Sequence, residues 1–162
     1  MSFDKLVVNA SPIISLAKIG CADFLLKLSS ELIIPQGVFE EITACPYSDE
    51  AVLWVRRQNP ECIRSVEIPL VISGWNLGKG ESQVIAYAYQ QQGCVISVDD
   101  KPAKKCAELF GIKVNGTLAL LIRAKQAGLI SEVKTRLFAL KANGFRVSSS
   151  VFETALRLAD ES

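Results

Sequence analysis

Histidine is missing from all 162 positions. That absence removes Ser-His-Asp and Cys-His catalysis, H-E-x-x-H zinc sites and histidine general bases together. Any chemistry of this chain must run on carboxylates, lysines, hydroxyls, thiols or a metal held by oxygen. An excess of charge is missing too: 18 Lys and Arg face 17 Asp and Glu, a net charge of +1. A strongly basic nucleic-acid binder is thereby excluded, and any such contact must come from a local patch. Long apolar runs are also lacking, since Lys18, Asp23 and Lys27 break the candidates well short of bilayer length. No membrane segment or signal peptide is visible. Cys21, Cys45, Cys62, Cys94 and Cys106 are odd in number, scattered, and form no C-x-x-C pair. They read as buried free thiols in a reducing cytoplasm.

What is present fits one globular domain over residues 1–162, with 49% hydrophobic and 22% charged residues. No repeat, low-complexity tract or linker divides it. Apolar runs of strand length, Leu6 to Val8, Leu32 to Ile34, Cys94 to Val98 and Ile112 to Val114, alternate with helical patterns. This alternation predicts βαβ units, and runs that are apolar throughout predict strands buried on both faces. The fold class is α/β, a three-layer α/β/α arrangement around a mainly parallel sheet, with residues 128–162 as a helical C-terminal extension of the same domain.

Helix boundaries are legible in places. Ser11 followed by Pro12 predicts a capped helix start, and Gly20 its stop. A helix is expected after Gly80, and another over Lys101 to Phe110 with Ala103, Cys106, Ala107 and Phe110 inward. Ser150 and Glu153 have the spacing of a capping box for the last helix.

Ligands in an open parallel sheet bind beyond the carboxyl ends of the strands. Asn9 follows Leu6 to Val8, and Asp99 with Asp100 follows Cys94 to Val98. Helical phase adds Glu41, on a stripe with Val38, Ile42 and Cys45, and Glu81, on a stripe with Val84, Ile85 and Ala88. Carboxylates on inward stripes are costly unless paired or bound to a cation. Each has an alternative role. Glu81 can complement a helix dipole, Glu41 can reach the surface, and Asp99 or Asp100 can cap the helix from Lys101. Gathered at one edge, an oxygen-only set favours Mg2+ or Mn2+ over zinc or copper, and with it phosphodiester hydrolysis. Lys79, Lys101, Lys104 and Lys105 lie near that edge in sequence and can meet phosphates or simply be solvated.

In order, the segments VVNASPIISLAKIG, IIPQGVFEEI, LGKGESQVIAYA and VISVDDKPAKKCAELFGIKVNGTLALLIRAK resemble a PIN domain, in particular the VapC-like bacterial toxins. The likeness runs from Leu6 to about Lys125. It implies an α/β/α metal-dependent endoribonuclease using Mg2+ or Mn2+, a toxin with RNA as substrate and an antitoxin protein as partner, commonly homodimeric. Carried over residue by residue, it places Asn9, Glu41, Glu81 and Asp99 in the catalytic and metal set, with Asp100 adjacent. Ser11 and Thr117 stand behind them, and the Asn115-Gly116-Thr117 turn lies close by. As a turn and cap, Gly116 and Thr117 have an ordinary structural reading as well. The family's first acidic position is an aspartate, whereas here it is Asn9, an acceptor without charge. A second reading follows: a PIN-fold module without catalysis that binds RNA or a protein.

Overall fold

The computed structural model describes residues 2–44 and 49–162. The chain begins with β1 (Phe3–Val8), α1 (Ala10–Lys18), the single-turn α2 (Phe24–Lys27), β2 (Ser29–Pro35), α3 (Gln36–Ala44) and α4 (Asp49–Arg56). It continues through β3 (Ile63–Arg64), α5 (Leu70–Ser73), α6 (Lys79–Gln90), β4 (Cys94–Ser97) and α7 (Lys101–Leu109). The last elements are β5 (Lys113–Val114), α8 (Thr117–Gln126), α9 (Lys134–Ala142) and α10 (Ser149–Leu158). All five strands are parallel, in the order β3-β2-β1-β4-β5. Helices flank the sheet in a three-layer α/β/α arrangement, as the alternating pattern predicts.

Continuous apolar runs build the centre of the sheet. Leu6, Val7 and Val8 have no exposed surface, nor do Ile33 and Ile34. Branched side chains suit a pleated strand packed on both faces, and each one buried contributes about 1.5–3 kcal/mol. Order within the sheet reverses at β1. The chain moves outward from β1 to β2 and β3, then returns to place β4 and β5 on the other side. The β1/β4 seam is therefore a topological switch point, where neighbouring crossovers diverge and leave a crevice.

Residues 128–162 pack into this same core. Leu137, Leu140, Ala155, Leu156 and Ala159 join the cluster of buried side chains. The chain end is fastened as well: Glu161 accepts from Val133 N at 2.6 Å, Lys134 N at 3.0 Å and Lys125 Nζ at 3.1 Å. These bonds satisfy N–H groups at the start of α9 that have no partner within the helix. Burial on its own raises the Glu161 carboxyl, but the two backbone donors and Lys125 outweigh it and hold it below the ordinary glutamate value.

Several local expectations need correction. Ser11 does not cap α1: the helix starts at Ala10, with Asn9 at its cap position making no capping bond. Helix α6 begins at Lys79, one residue before Gly80. The cap of α10 is Ser148, which accepts from Val151 N at 3.2 Å, so Ser150 and Glu153 form no capping box. Strand β4 ends at Ser97 rather than Val98. The two-residue β3 carries too little apolar sequence to announce itself and arises from pairing with Ile34 and Pro35. Among the cysteines, Cys21 and Cys106 are buried free thiols while Cys62 and Cys94 are half-buried. Cys45 lies outside the described residues.

Candidate active site

Both strands at the seam end in polar residues, and the register brings them together. Val8 pairs with Ser97, and the Asn9 N–H continues the ladder to Ser97 O at 3.0 Å. Asn9 is 5% exposed, and its Oδ1 has no hydrogen-bond partner. An unpaired buried acceptor costs about 1–3 kcal/mol, so this oxygen is an unmet demand for a donor or a cation. Helix α6 closes over it. A Cβ on Gly80 would lie 3.2 Å from Val38 Cγ2 and 3.6 Å from Asn9 Oδ1, so the missing side chain lets the first turn of α6 approach both.

Asp99 is the most strongly held of the acids. Its Oδ1 accepts from Thr117 N at 2.8 Å, and its Oδ2 from Thr117 Oγ1 at 2.6 Å. A longer contact, 3.4 Å, runs from Ser11 Oγ to the same Oδ2. The carboxylate thus sits at the N-terminus of α8, where free N–H groups and the helix dipole favour negative charge. Ser11, expected at a helix cap, reaches across the seam instead. Capping of α7 falls to Asp100, whose Oδ2 accepts from Ala103 N at 3.1 Å, and not to Asp99. Gly116 is needed for close approach rather than for an unusual turn: its φ is −74°, yet a Cβ there would stand 2.8 Å from Asp99 Oδ1. Thr117 follows the cap position and donates to Asp99 rather than capping its own helix.

The glutamates differ from each other. Glu81 is half-buried in the first turn of α6, and burial followed by repulsion from Asp100 and Glu41 pushes its carboxyl up. Glu41 is exposed, contrary to its placement on the inward stripe, although its charge still reaches Glu81. Its neighbour Glu40 pairs with Lys79 at 3.0 Å, an exposed bridge that joins α3 to α6. None of Glu41, Glu81, Asp99 and Asp100 is within ion-pair distance of a lysine or arginine among the described residues.

Asn9, Ser11, Glu81, Asp99 and Asp100 all line one open cleft of about 1300 Å³. Lys101 and Lys104 line it too, with the Lys104 ammonium beside Gly116. Lys105 does not face it, and Lys79 is occupied by Glu40. Three cations that sequence order gave no reason to nominate, Lys18, Lys141 and Arg146, also border the cleft. Only packing of α9 and α10 against the rest brings the last two there. Gln83 carries no local sequence signal either. Buried between helices, it accepts from Gly37 N at 2.6 Å and donates to Val66 O at 3.0 Å, satisfying an otherwise unpaired N–H in the first turn of α3.

An α/β/α domain with acids gathered at the switch point of a parallel sheet has its ligand site at that seam. Residues 5–161 match the family model of DUF3368, described as a PIN domain, and the chain belongs to that family. No curated protein and no solved structure matches it significantly. PIN domains are generally nucleases, typically using divalent metals, with RNA the implied substrate. Among the described residues no helix is long and apolar enough to cross a membrane.

The site's donors can be tested against a divalent ion. Among the described residues no three His, Cys, Asp or Glu side chains converge into a cage. Mg2+ seldom needs one, since it keeps several waters and binds through one or two carboxylates plus substrate phosphates. The orphaned Asn9 Oδ1 and the mutually repelling Glu81 and Asp100 provide hard oxygen donors that form no ion pair among the described residues. These residues fit such an ion.

Proposed function

We propose that this PIN-domain protein is a metal-dependent endoribonuclease, a toxin-like member of a toxin–antitoxin pair, hydrolysing RNA phosphodiesters with Mg2+ or Mn2+. The observation that carries the reading is the unpartnered, buried Asn9 Oδ1 beside acids that, among the described residues, form no ion pair with a lysine or arginine. Asn9, Glu81 and Asp99 would hold the ion, with Asp100 through the oxygen that does not cap α7, while Glu41, outside the cleft lining, would act on the site through its charge on Glu81. When bound, the ion lowers the pKa of a water and offsets charge on the phosphate. Thr117 and Ser11 fix the orientation of Asp99 through both carboxylate oxygens. Burial and the charges of Asp100 and Glu41, which push the Glu81 carboxyl up, are what a bound cation would offset. Lys104 is placed to contact phosphate, whereas Lys105 has no such position.

Likeness to VapC-like toxins supports the antitoxin partner and a homodimer. Four described free thiols suit a reducing cytoplasm.

One observation favours the second reading, a module that binds RNA or protein without cleaving. Asn9 brings no charge, and both oxygens of Asp99 are already engaged by Thr117. The two readings part on a Mn2+ titration by calorimetry, followed by an RNA scission assay. Mn2+ binding that disappears in Asp99→Ala, together with metal-dependent scission, supports the nuclease. Binding that survives in Asp99→Ala, or RNA left intact with metal bound, refutes it in favour of the silent module.

A further inference from the structure

Building on the nuclease reading, we infer that the connection between α9 and α10 is the RNA-gripping wall of the cleft, with Arg146 and Lys141 holding backbone phosphates flanking the scissile one. The cleft is lined from two parts of the chain. Glu81, Asp99 and Asp100, with Lys101 and Lys104, come from the elements around the β1/β4 seam, and Lys141, Gly144, Arg146 and Ser148 come from the C-terminal segment. Its volume of about 1300 Å³ exceeds the roughly 300–1,000 Å³ of small-molecule pockets, which suits a polymer passing through.

The cations of the wall have few other duties. Lys141 stands in the last turn of α9, where a positive charge complements the helix dipole, so position alone explains part of its presence. Its Nζ lies 5.1 Å from the centre of the Phe152 ring, a contact that orders the side chain beside the cleft. Arg146 has no such explanation. It belongs to no helix, is exposed, and has no hydrogen bond or ion pair among the described residues. A guanidinium held free at the mouth of an acid-floored cleft is suited to bidentate phosphate contact. Lys101 points the same way. It opens α7, the helix end where a cation is disfavoured, and it lines the cleft. A phosphodiester strand resolves the whole arrangement, its scissile phosphate at the acids and its neighbours on the basic wall.

The test is binding of a labelled single-stranded oligoribonucleotide, followed by fluorescence anisotropy in EDTA over a salt series, so that neither metal nor cleavage enters. Lys141→Ala with Arg146→Ala is expected to weaken binding about tenfold at low salt. The same pair should flatten the slope of log affinity against log salt by about 1.4, or about 0.7 for each lost phosphate contact. Arg146→Ala alone, at an exposed position that cannot harm folding, should flatten it by about 0.7, and Arg146→Lys should keep the slope. Lys27→Ala, at the opposite edge of the sheet, should change neither quantity. Unaltered affinity and slope in the arginine and double variants overturn the inference, as does a parent protein that binds no RNA. Neither outcome touches the metal site, which the Mn2+ titration tests separately.

Discussion

Replacing Gly116 by alanine tests whether the site is built around a fixed Asp99. At φ −74° the backbone accepts alanine, and reduced freedom of the unfolded chain would then stabilise the protein by about 0.4–1 kcal/mol. Space argues the other way. The new Cβ would lie 2.8 Å from Asp99 Oδ1 and 3.4 Å from Val98 O, the second of which is main chain. Relief must come from the carboxylate, which Thr117 holds through two bonds of 2.8 and 2.6 Å. Overpacking of this kind costs about 1–3 kcal/mol, and a weakened bond to a charged group about 1.5–3 kcal/mol. These are alternative measures of one cost, because the clash is relieved by giving up the bond, so the expected balance is a loss of about 1–2 kcal/mol, with about 2–4 °C of Tm per kcal/mol for a domain of this size. Urea unfolding in EDTA measures it, and a cycle with Thr117→Val shows the route. If the alanine acts by displacing Asp99 from Thr117, the two losses overlap and the double variant loses less than their sum. A Gly116→Ala protein as stable as its parent, or fully additive losses, would refute the reasoning.

Two further outcomes follow from the same geometry. Asn9→Asp should tighten Mn2+ binding by about tenfold or more, since a unit charge about 4 Å from a cation is worth about 4 kcal/mol before desolvation at an effective dielectric near 20. The cost is lower stability without metal, because the new carboxylate is buried in the cleft that Glu81 and Asp99 also line; calorimetry with unchanged or weaker binding would remove residue 9 from the ion's coordination. Glu161→Gln should lower stability at neutral pH by about 1.5–3 kcal/mol, because an amide cannot serve both N–H donors and Lys125. With its folded pKa depressed, Glu161 contributes fully above its unfolded pKa and loses that contribution as pH falls through the folded value. Thermal melts of the two proteins should therefore converge on acidification; a gap independent of pH contradicts the assignment.

Where sequence periodicity and burial agree, the chain was readable. Leu6 to Val8 and Ile33 to Ile34 are buried throughout because apolar residues without alternation can only lie between two helical layers. Asn9 and Asp99 were found at one edge because parallel strands share their carboxyl ends. Local signals misled where tertiary contacts compete for the same group. Ser11 reads as a cap and reaches Asp99 instead, whereas Asp100, placed before Lys101-Pro102, does take the capping role expected of it, and Asp99 does not. Glu41 shows how coarse phase is, since a residue at the edge of a helical stripe can turn out to solvent. Arg146 and Lys141 were beyond reach altogether. Nothing in their neighbours predicts that α9 and α10 fold back over the crevice, and a position set by long-range packing leaves no local mark.

The switch point also governs when the site can exist. Ser11 and Asp99 meet across the β1/β4 seam although they stand 88 positions apart. During synthesis β1 can pair early with β2, but the crevice has no second wall until β4 and α8 have emerged. Closing such a long loop is slow, because the entropy is lost before the contacts form. A nascent or partly folded chain therefore carries no assembled acidic centre, and the site is complete only once β4 and α8 have docked beside β1.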